Sequence, residues 1–540
     1  MSVARTSVAV FVVTLLVYAF AAAPVPFYGK AEPREALVAR AILLGNGVVL
    51  PLRDGREIPS KPPLFHWLAA TAATVVRPVE LAMRLPSVVL GAASVALVAG
   101  LVGHASGAAA GVLTAAILAS AFEWLRAATE SRVDMTLTFL LLSATLAWRA
   151  VLVGDGGRGL VRLGWVACAL AVLTKGPVGV VLPVLIAGAG ALAGGTRSRL
   201  RRLVDGPGIV IAFVIAAGWY LLAWRAGGQA FLVKHVVQEN LGRFVGRGEA
   251  GHAHPFWYYG PALLVGAMPW TPALAAPIRR LWRARDGLDR FALAWFAAVF
   301  VFYSLSTGKR SAYLLPLYPP LAIVTGRALA VGLGAPLHRG IGGALRAGAV
   351  VLGGLGVAIA GAGARWIEPH VAPLLHRHDR AQLPLIVAIV DDNRAAILAV
   401  LLLAAAGLLL VSGTGARRVA GVVAVALAWT VGLSWVGARP FGRALTPRAF
   451  AARVNDVVGD APLCARGWVD FDARWYLARP LPHCARHDPA TRFILHQTTE
   501  RLPHHRHCVA TRLVDDNPAL TGERLQLDEQ LPGCGRSAAP

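Results

Sequence analysis

Apolar windows of about 20 residues recur along most of this chain, the length needed to cross the hydrocarbon core of a bilayer. That pattern dictates the backbone geometry. Every N–H and C=O in lipid must be paired within its own segment, so the spans are helices. We expect about thirteen, at 7–27, 82–103, 109–126, 134–153, 160–174, 176–194, 208–226, 257–275, 289–305, 312–331, 344–363, 394–412 and 418–437. The segment 64–76 reads as a half-buried helix. Composition agrees: only 15% of the 540 residues are charged, where a water-soluble domain carries about 25%. The chain is thus a polytopic α-helical membrane protein. The first segment is longer than a signal-peptide core, although "AAAPVPFYGK" offers a small-residue site where cleavage would be the lesser alternative.

The formal net charge of +24 would suggest nucleic acid in a soluble protein. Here basic residues in short cytoplasmic loops explain it, and no nucleic-acid partner is expected. With the N-terminus inside, the inner loops include "GTRSRLRRL" (195–203), "IRRLWRARDGLDR" (278–290), "HRGIGGALR" (338–346) and "GTGARR" (413–418). The outer face then receives 28–81, 127–133, 227–256, 306–311, 364–393 and the tail after 438. The organisation read from this is a transmembrane part, 1–438, and a C-terminal part, 439–540, of small mixed α/β character outside the membrane. "PRAFAARVNDVVGD" reads as a helix there, and "APLCARG" and "TRFILHQT" as strands. Cys464, Cys484, Cys508 and Cys534 lie in this tail, an even number that suits one or two disulfides in an exported domain. Cys168 lies alone in an apolar span and reads as a packing residue.

The first outer loop is unusually charged. Lys30, Glu32, Arg34, Glu35, Arg40, Arg53, Asp54, Arg56, Glu57 and Lys61 stand between two apolar segments. "EPREALVARAILLGNG" carries apolar residues near helical spacing and then a turn, which predicts an amphipathic helix at the membrane surface with a solvated charged face. Two charges ask for more. Glu32 stands at the mouth of any cavity between spans. Lys61 precedes "PPLFHW", where the chain re-enters the membrane, and a cation there suits a phosphate headgroup.

These features resemble the aminoarabinose transferase and dolichyl-phosphate-mannose protein mannosyltransferase group, polyprenyl-phosphate-sugar-dependent enzymes of the GT-C fold. The resemblance is carried in order by "GNGVVLPLRDGREIPSKPPLFHWL", "ESRVDMTLTFLLL", "QENLGRFVGRGEAGHAHPFWYYGPALLVGAMPWT" and "STGKRSAYLLPLYPPLAI". It implies that the acidic residue after the first span, Glu32, or Asp134 supplies a catalytic carboxylate. The group usually begins this loop with an Asp-Glu pair, and Ala31 stands at the Asp position. Where it often has Glu-Lys-Pro, this chain has Ser60-Lys61-Pro62. Lys61, Lys309 and Tyr313 match donor-phosphate residues, and Arg243 and Arg310 could join them in stabilising charge on a departing phosphate. His252 matches a loop histidine and could hold a divalent metal ion with Glu32 or Asp134; its plainer reading is a surface histidine.

The function so implied is an inverting integral membrane glycosyltransferase. It moves sugar from a polyprenyl-phosphate donor to a periplasmic-side acceptor: a lipid A-like glycolipid, a polysaccharide or a protein. The expected partners are that donor, that acceptor and membrane lipids. The expected location is the bacterial inner membrane, with the active site and the tail on the periplasmic side. No nucleotide motif stands in a plausible context, which agrees with a lipid-linked donor. Two rivals remain from other classes: a lipid-linked sugar transporter or flippase, and an inactive relative that binds without transfer.

Overall fold

The structure is a computed structural model of the full chain. It describes residues 2–23, 25–242, 254–274, 286–306, 308–337, 339–365, 368–374, 377–484, 492–498, 509–515, 517 and 524–530. Among these, nine helices are long and apolar enough to cross a membrane. The bundle opens with α1 (Val3–Ala22), followed by the short α2 (Ala31–Leu43) and α3 (Leu64–Val75), then α4 (Val79–Ser106). Next come α5 (Ala108–Ser120) and α6 (Phe122–Thr129), which meet at a 69° bend and are long enough to cross a membrane only together. The expected span at 109–126 is therefore broken. Then follow α7 (Val133–Val153), α8 (Arg158–Lys175), α9 (Val178–Ala193) and α10 (Gly206–Leu232). The expected span at 257–275 is also interrupted: its described part is a helix over Tyr259–Gly266 and a separate 3-10 turn at Thr271–Leu274.

The largest core lies where α1, α4, α5, α6 and α7 meet the later spans, around Tyr18, Trp124, Leu141, Trp295 and Tyr318. Small residues let the helices close. A methyl group on Gly91 of α4 would approach Ala128 Cβ to 2.9 Å, inside normal van der Waals contact.

The polar surface helix expected over the first outer loop is not what forms. Pro33 sits in the first turn of α2, where no intrahelical N–H is needed. Gly45, with φ +75, turns the chain out at the other end, donating to the Ile42 carbonyl. Between these ends α2 is buried on most sides, Glu32 and Glu35 included. A second apolar cluster explains the cover. Phe27, Ala36, Leu37, Phe65, Met83 and Val133 pack against Phe471 and Trp475 of the C-terminal segment. The charged face meets protein rather than water. α3 behaves as expected: Phe65, His66, Ala69, Ala70 and Ala73 are buried, while the opposite side is open.

The C-terminal segment has the helix Arg448–Val458 and four strands: β1 (Leu463–Arg466), β2 (Phe493–Thr498), β3 (Val509–Val514) and β4 (Arg524–Gln530). They form one sheet in the order β1-β2-β4-β3. β1 and β2 run parallel, and the other neighbours are antiparallel. Phe450, Val454, Leu495 and Leu527 lie in the core between helix and sheet. Both strands and the helix read from the sequence are present. Cys464 and Cys484 are joined in a disulfide, and Cys168 is free and buried. Cys508 and Cys534 lie outside the described residues.

Candidate active site

Charged residues from five separate segments converge at one end of the bundle. The cavity there is lined by Ala31, Arg34 and Glu35 of α2, and by Lys61 ahead of α3. Arg132, Val133 and Asp134 come from the start of α7, and Lys175 from the end of α8. Arg310, Ala312 and Tyr313 come from the turn before the span Ser311–Val331. The cavity brings together Lys61, Asp134, Arg310 and Tyr313 from the residues the sequence singled out. It adds Arg34, Glu35, Arg132 and Lys175, which the sequence reading did not select as site residues.

Each charge has a local cause for its place. Asp134 stands in the first turn of α7, where a carboxylate meets the positive end of the helix dipole. It pairs with the Lys175 ammonium, which stands in the last turn of α8 beside the negative end of that helix. Lys175 Nζ also lies 4.6 Å from the centre of the Tyr313 ring, which stacks on Tyr303. Lys61 Nζ lies 3.0 Å from a carboxylate oxygen of Glu239. Glu239 belongs to the continuation of α10, so the acidic neighbour missing at Ser60 is supplied in space by another segment. Arg132 pairs with Glu130 at 3.1 Å. Glu35 is buried, which alone would push its pKa up. The Arg34 guanidinium and the hydrogen bond from His66 reverse this and hold the carboxyl well below its usual range. The lining therefore has five basic side chains against two carboxylates, an excess that suits an oxyanion.

Glu32 is placed differently. Arg84 Nε and Nη2 donate to its two oxygens at 2.7 and 2.8 Å. The Ser131 amide adds a third bond at 2.7 Å. Arg84 Nη1 donates to the carbonyls of Ala22 and Val25, at and beyond the end of α1, where helix geometry leaves acceptors without partners. This buried pair ties α1, α2, α4 and the start of α7 together. Glu32 lines a second cavity, with Tyr28, Arg126 and Phe441, rather than the cation cluster. Lys309 is also apart: its amine donates to the Ser306 carbonyl at 2.5 Å, and it does not line the cavity. Arg243 and His252 lie outside the described residues. Glu32 is a poor partner for a metal at His252, because both its oxygens accept from a guanidinium. Among the described residues no group of three or more His, Cys, Asp or Glu is placed to hold a metal ion.

The chain superposes on the crystal structure of ArnT from Cupriavidus metallidurans bound to undecaprenyl phosphate with a TM-score of 0.77, covering 99% of both chains at 21% identity. The two share one fold. Residues 60–234 match the family described as dolichyl-phosphate-mannose-protein mannosyltransferase. A curated relative from Pseudomonas aeruginosa (strain UCBPP-PA14) is named undecaprenyl phosphate-alpha-4-amino-4-deoxy-L-arabinose arabinosyl transferase. It is 31% identical over 309 residues, 55% of each chain. One of the same name from Pectobacterium atrosepticum is 30% identical over 353 residues, covering 63% of this chain and 62% of that one. The matches thus span somewhat over half the length of these relatives. They agree with the aminoarabinose transferase and protein mannosyltransferase resemblance read from the sequence, with the GT-C architecture and with a multi-span membrane protein.

Proposed function

We propose that this chain is an integral membrane glycosyltransferase that transfers a sugar from a polyprenyl-phosphate donor to a periplasmic-side acceptor. The observation that carries the reading is the cavity of five cations and Asp134 at one end of the bundle, set on a fold shared with a protein crystallised with undecaprenyl phosphate. Its location would be the bacterial inner membrane, with the cavity and the C-terminal segment on the periplasmic face.

The chemistry follows from the lining. The donor's prenyl tail stays in lipid while its phosphate enters among Arg34, Lys61, Arg132 and Arg310. An acceptor oxygen attacks the anomeric carbon. A carbon–oxygen bond forms there, the bond to the donor phosphate breaks, and its electron pair leaves on the phosphate. Preorganised cations stabilise this growing charge without reorganising at the moment of reaction. Asp134, held by Lys175, is the carboxylate placed to receive a proton from a hydroxyl acceptor; a phosphate acceptor would need no such base. A single displacement of this kind inverts the anomeric centre. Glu32 serves as scaffold, and no step is assigned to a metal.

The names of the curated relatives make 4-amino-4-deoxy-L-arabinose the first donor sugar to try, and a lipid A-like glycolipid the first acceptor. The test is transfer of labelled sugar from undecaprenyl phosphate to membrane acceptors by the full chain, against Asp134→Asn and Lys61→Ala at equal expression. Transfer by the wild type that both variants lose supports the reading. Saturable donor binding with no transfer to any acceptor tried would favour an inactive relative. Movement of donor across the membrane without transfer would favour a flippase.

A further inference from the structure

Behind the cavity lies a buried relay. Arg34 borders the cavity. Its Nε and Nη2 both donate to a single oxygen of Glu35, Oε1, at 2.9 and 2.6 Å. The other oxygen, Oε2, lies 2.9 Å from Nε2 of His66 on α3. His66 is fully buried, and its Nδ1 has no partner among the described residues. The tautomer with its proton on Nε2 fits this setting, because the other ring nitrogen then brings only a lone pair into the apolar cluster. A free carboxylate beside a guanidinium prefers a two-oxygen fork. Here His66 takes one of the two oxygens. The guanidinium is thereby held side-on to the other, and no hydrogen bond of Nη1 is described.

We propose that His66 is a positioning residue: through Glu35 it orients the Arg34 guanidinium so that its unspent N–H groups meet the phosphate of a polyprenyl-phosphate ligand. This rests on the donor site proposed above and adds a residue that does not border the cavity. His66 touches no ligand; Arg34 does.

The experiment uses the full chain in nanodiscs and undecaprenyl phosphate alone as the probe, read as a dissociation constant, with thermal unfolding alongside. Removing a charged hydrogen-bond donor to phosphate makes Arg34→Ala bind about tenfold more weakly. His66→Leu should weaken binding several-fold in the wild-type background and have no further effect in the Arg34→Ala background, since a residue acting through Arg34 cannot add to its loss. His66→Gln, whose amide nitrogen can take the place of Nε2, should rescue binding; His66→Asn, which is too short, should not. If His66→Leu does not fold, the Gln and Asn pair carries the comparison. Unchanged binding in His66→Leu, an effect that persists undiminished beside Arg34→Ala, or equal behaviour of Gln and Asn would overturn the relay while leaving the donor site standing. No saturable binding by the wild type would sink the donor site itself, and the relay with it.

Discussion

At the scale of single residues, the two carboxylates favoured by the sequence stand in different surroundings. Asp134 borders the cation-rich cavity and keeps one lysine partner. Glu32 is buried with both oxygens engaged. Asp134→Asn and Lys61→Ala are therefore expected to lower kcat by about 100-fold, the scale of losing one preorganised electrostatic contact in a catalytic site, in a steady-state transfer assay. Glu32→Ala should instead act on folding. Breaking a buried ion pair strands Arg84 and costs about 3–5 kcal/mol, read as a fall in the unfolding midpoint. Replacing both partners, Glu32→Leu with Arg84→Met, should recover much of that stability and keep turnover. Zero turnover in a well-folded double variant would restore Glu32 to the chemistry.

Among secondary-structure elements, the contact between the C-terminal segment and α2 controls how the cavity's wall is held. Arg40 of α2 donates to the carbonyls of Trp475, Leu477 and Arg474. Arg474 pairs with Asp54, a residue held at φ +48, a conformation that aspartate tolerates better than most side chains. Asp472 accepts from the Gly29 amide at 2.8 Å, two residues before Ala31. Burial pushes the Asp472 carboxyl up to about 6, against its ordinary value of 3.8. A group raised on folding gives stability that is complete below its unfolded value and is lost as pH climbs through the folded one. Unfolding followed between pH 4 and pH 7 should thus show stability falling across that window. Asp472→Asn should remove this contribution to the slope. A slope as steep in the variant as in the wild type would show that Asp472 does not titrate there.

The same elements show what could be read in advance. Most span positions and the C-terminal helix and strands were legible because each rests on local periodicity; Lys61, Asp134, Arg310 and Tyr313, marked by the resemblance or by a charge where an apolar run begins, stand together at the cavity. Arg84 and Lys175 left a weaker trace: single charges inside or at the end of apolar stretches, which are costly in lipid unless paired. Their partners, Glu32 and Asp134, stand 52 and 41 positions away along the chain. No local pattern encodes that pairing. The burial of α2 was hidden for the same reason, since its cover, Phe471 and Trp475, comes from the far end of the sequence.

For the whole molecule, sidedness ties these points together. The segment ends that line the cavity meet at one end of the bundle. The Arg-rich turn Arg197–Leu203 packs at the far end of α7, where Arg199 donates to the Leu152 carbonyl; a cytoplasmic side for that end would suit the preference of basic loops. The Cys464–Cys484 disulfide agrees, because such bonds persist in oxidising compartments. The prediction is direct. In a background with Cys508 and Cys534 replaced, the remaining cysteines are either buried or paired. A cysteine introduced at the exposed Arg56, on the loop below the C-terminal segment, should then react with a membrane-impermeant thiol reagent in cells whose inner membrane is intact. One introduced at Arg201 should react only after that membrane is opened. Reversal of the two would place the cation-lined cavity on the cytoplasmic face, where nucleotide sugars are at hand, and would remove the main reason for a lipid-linked donor.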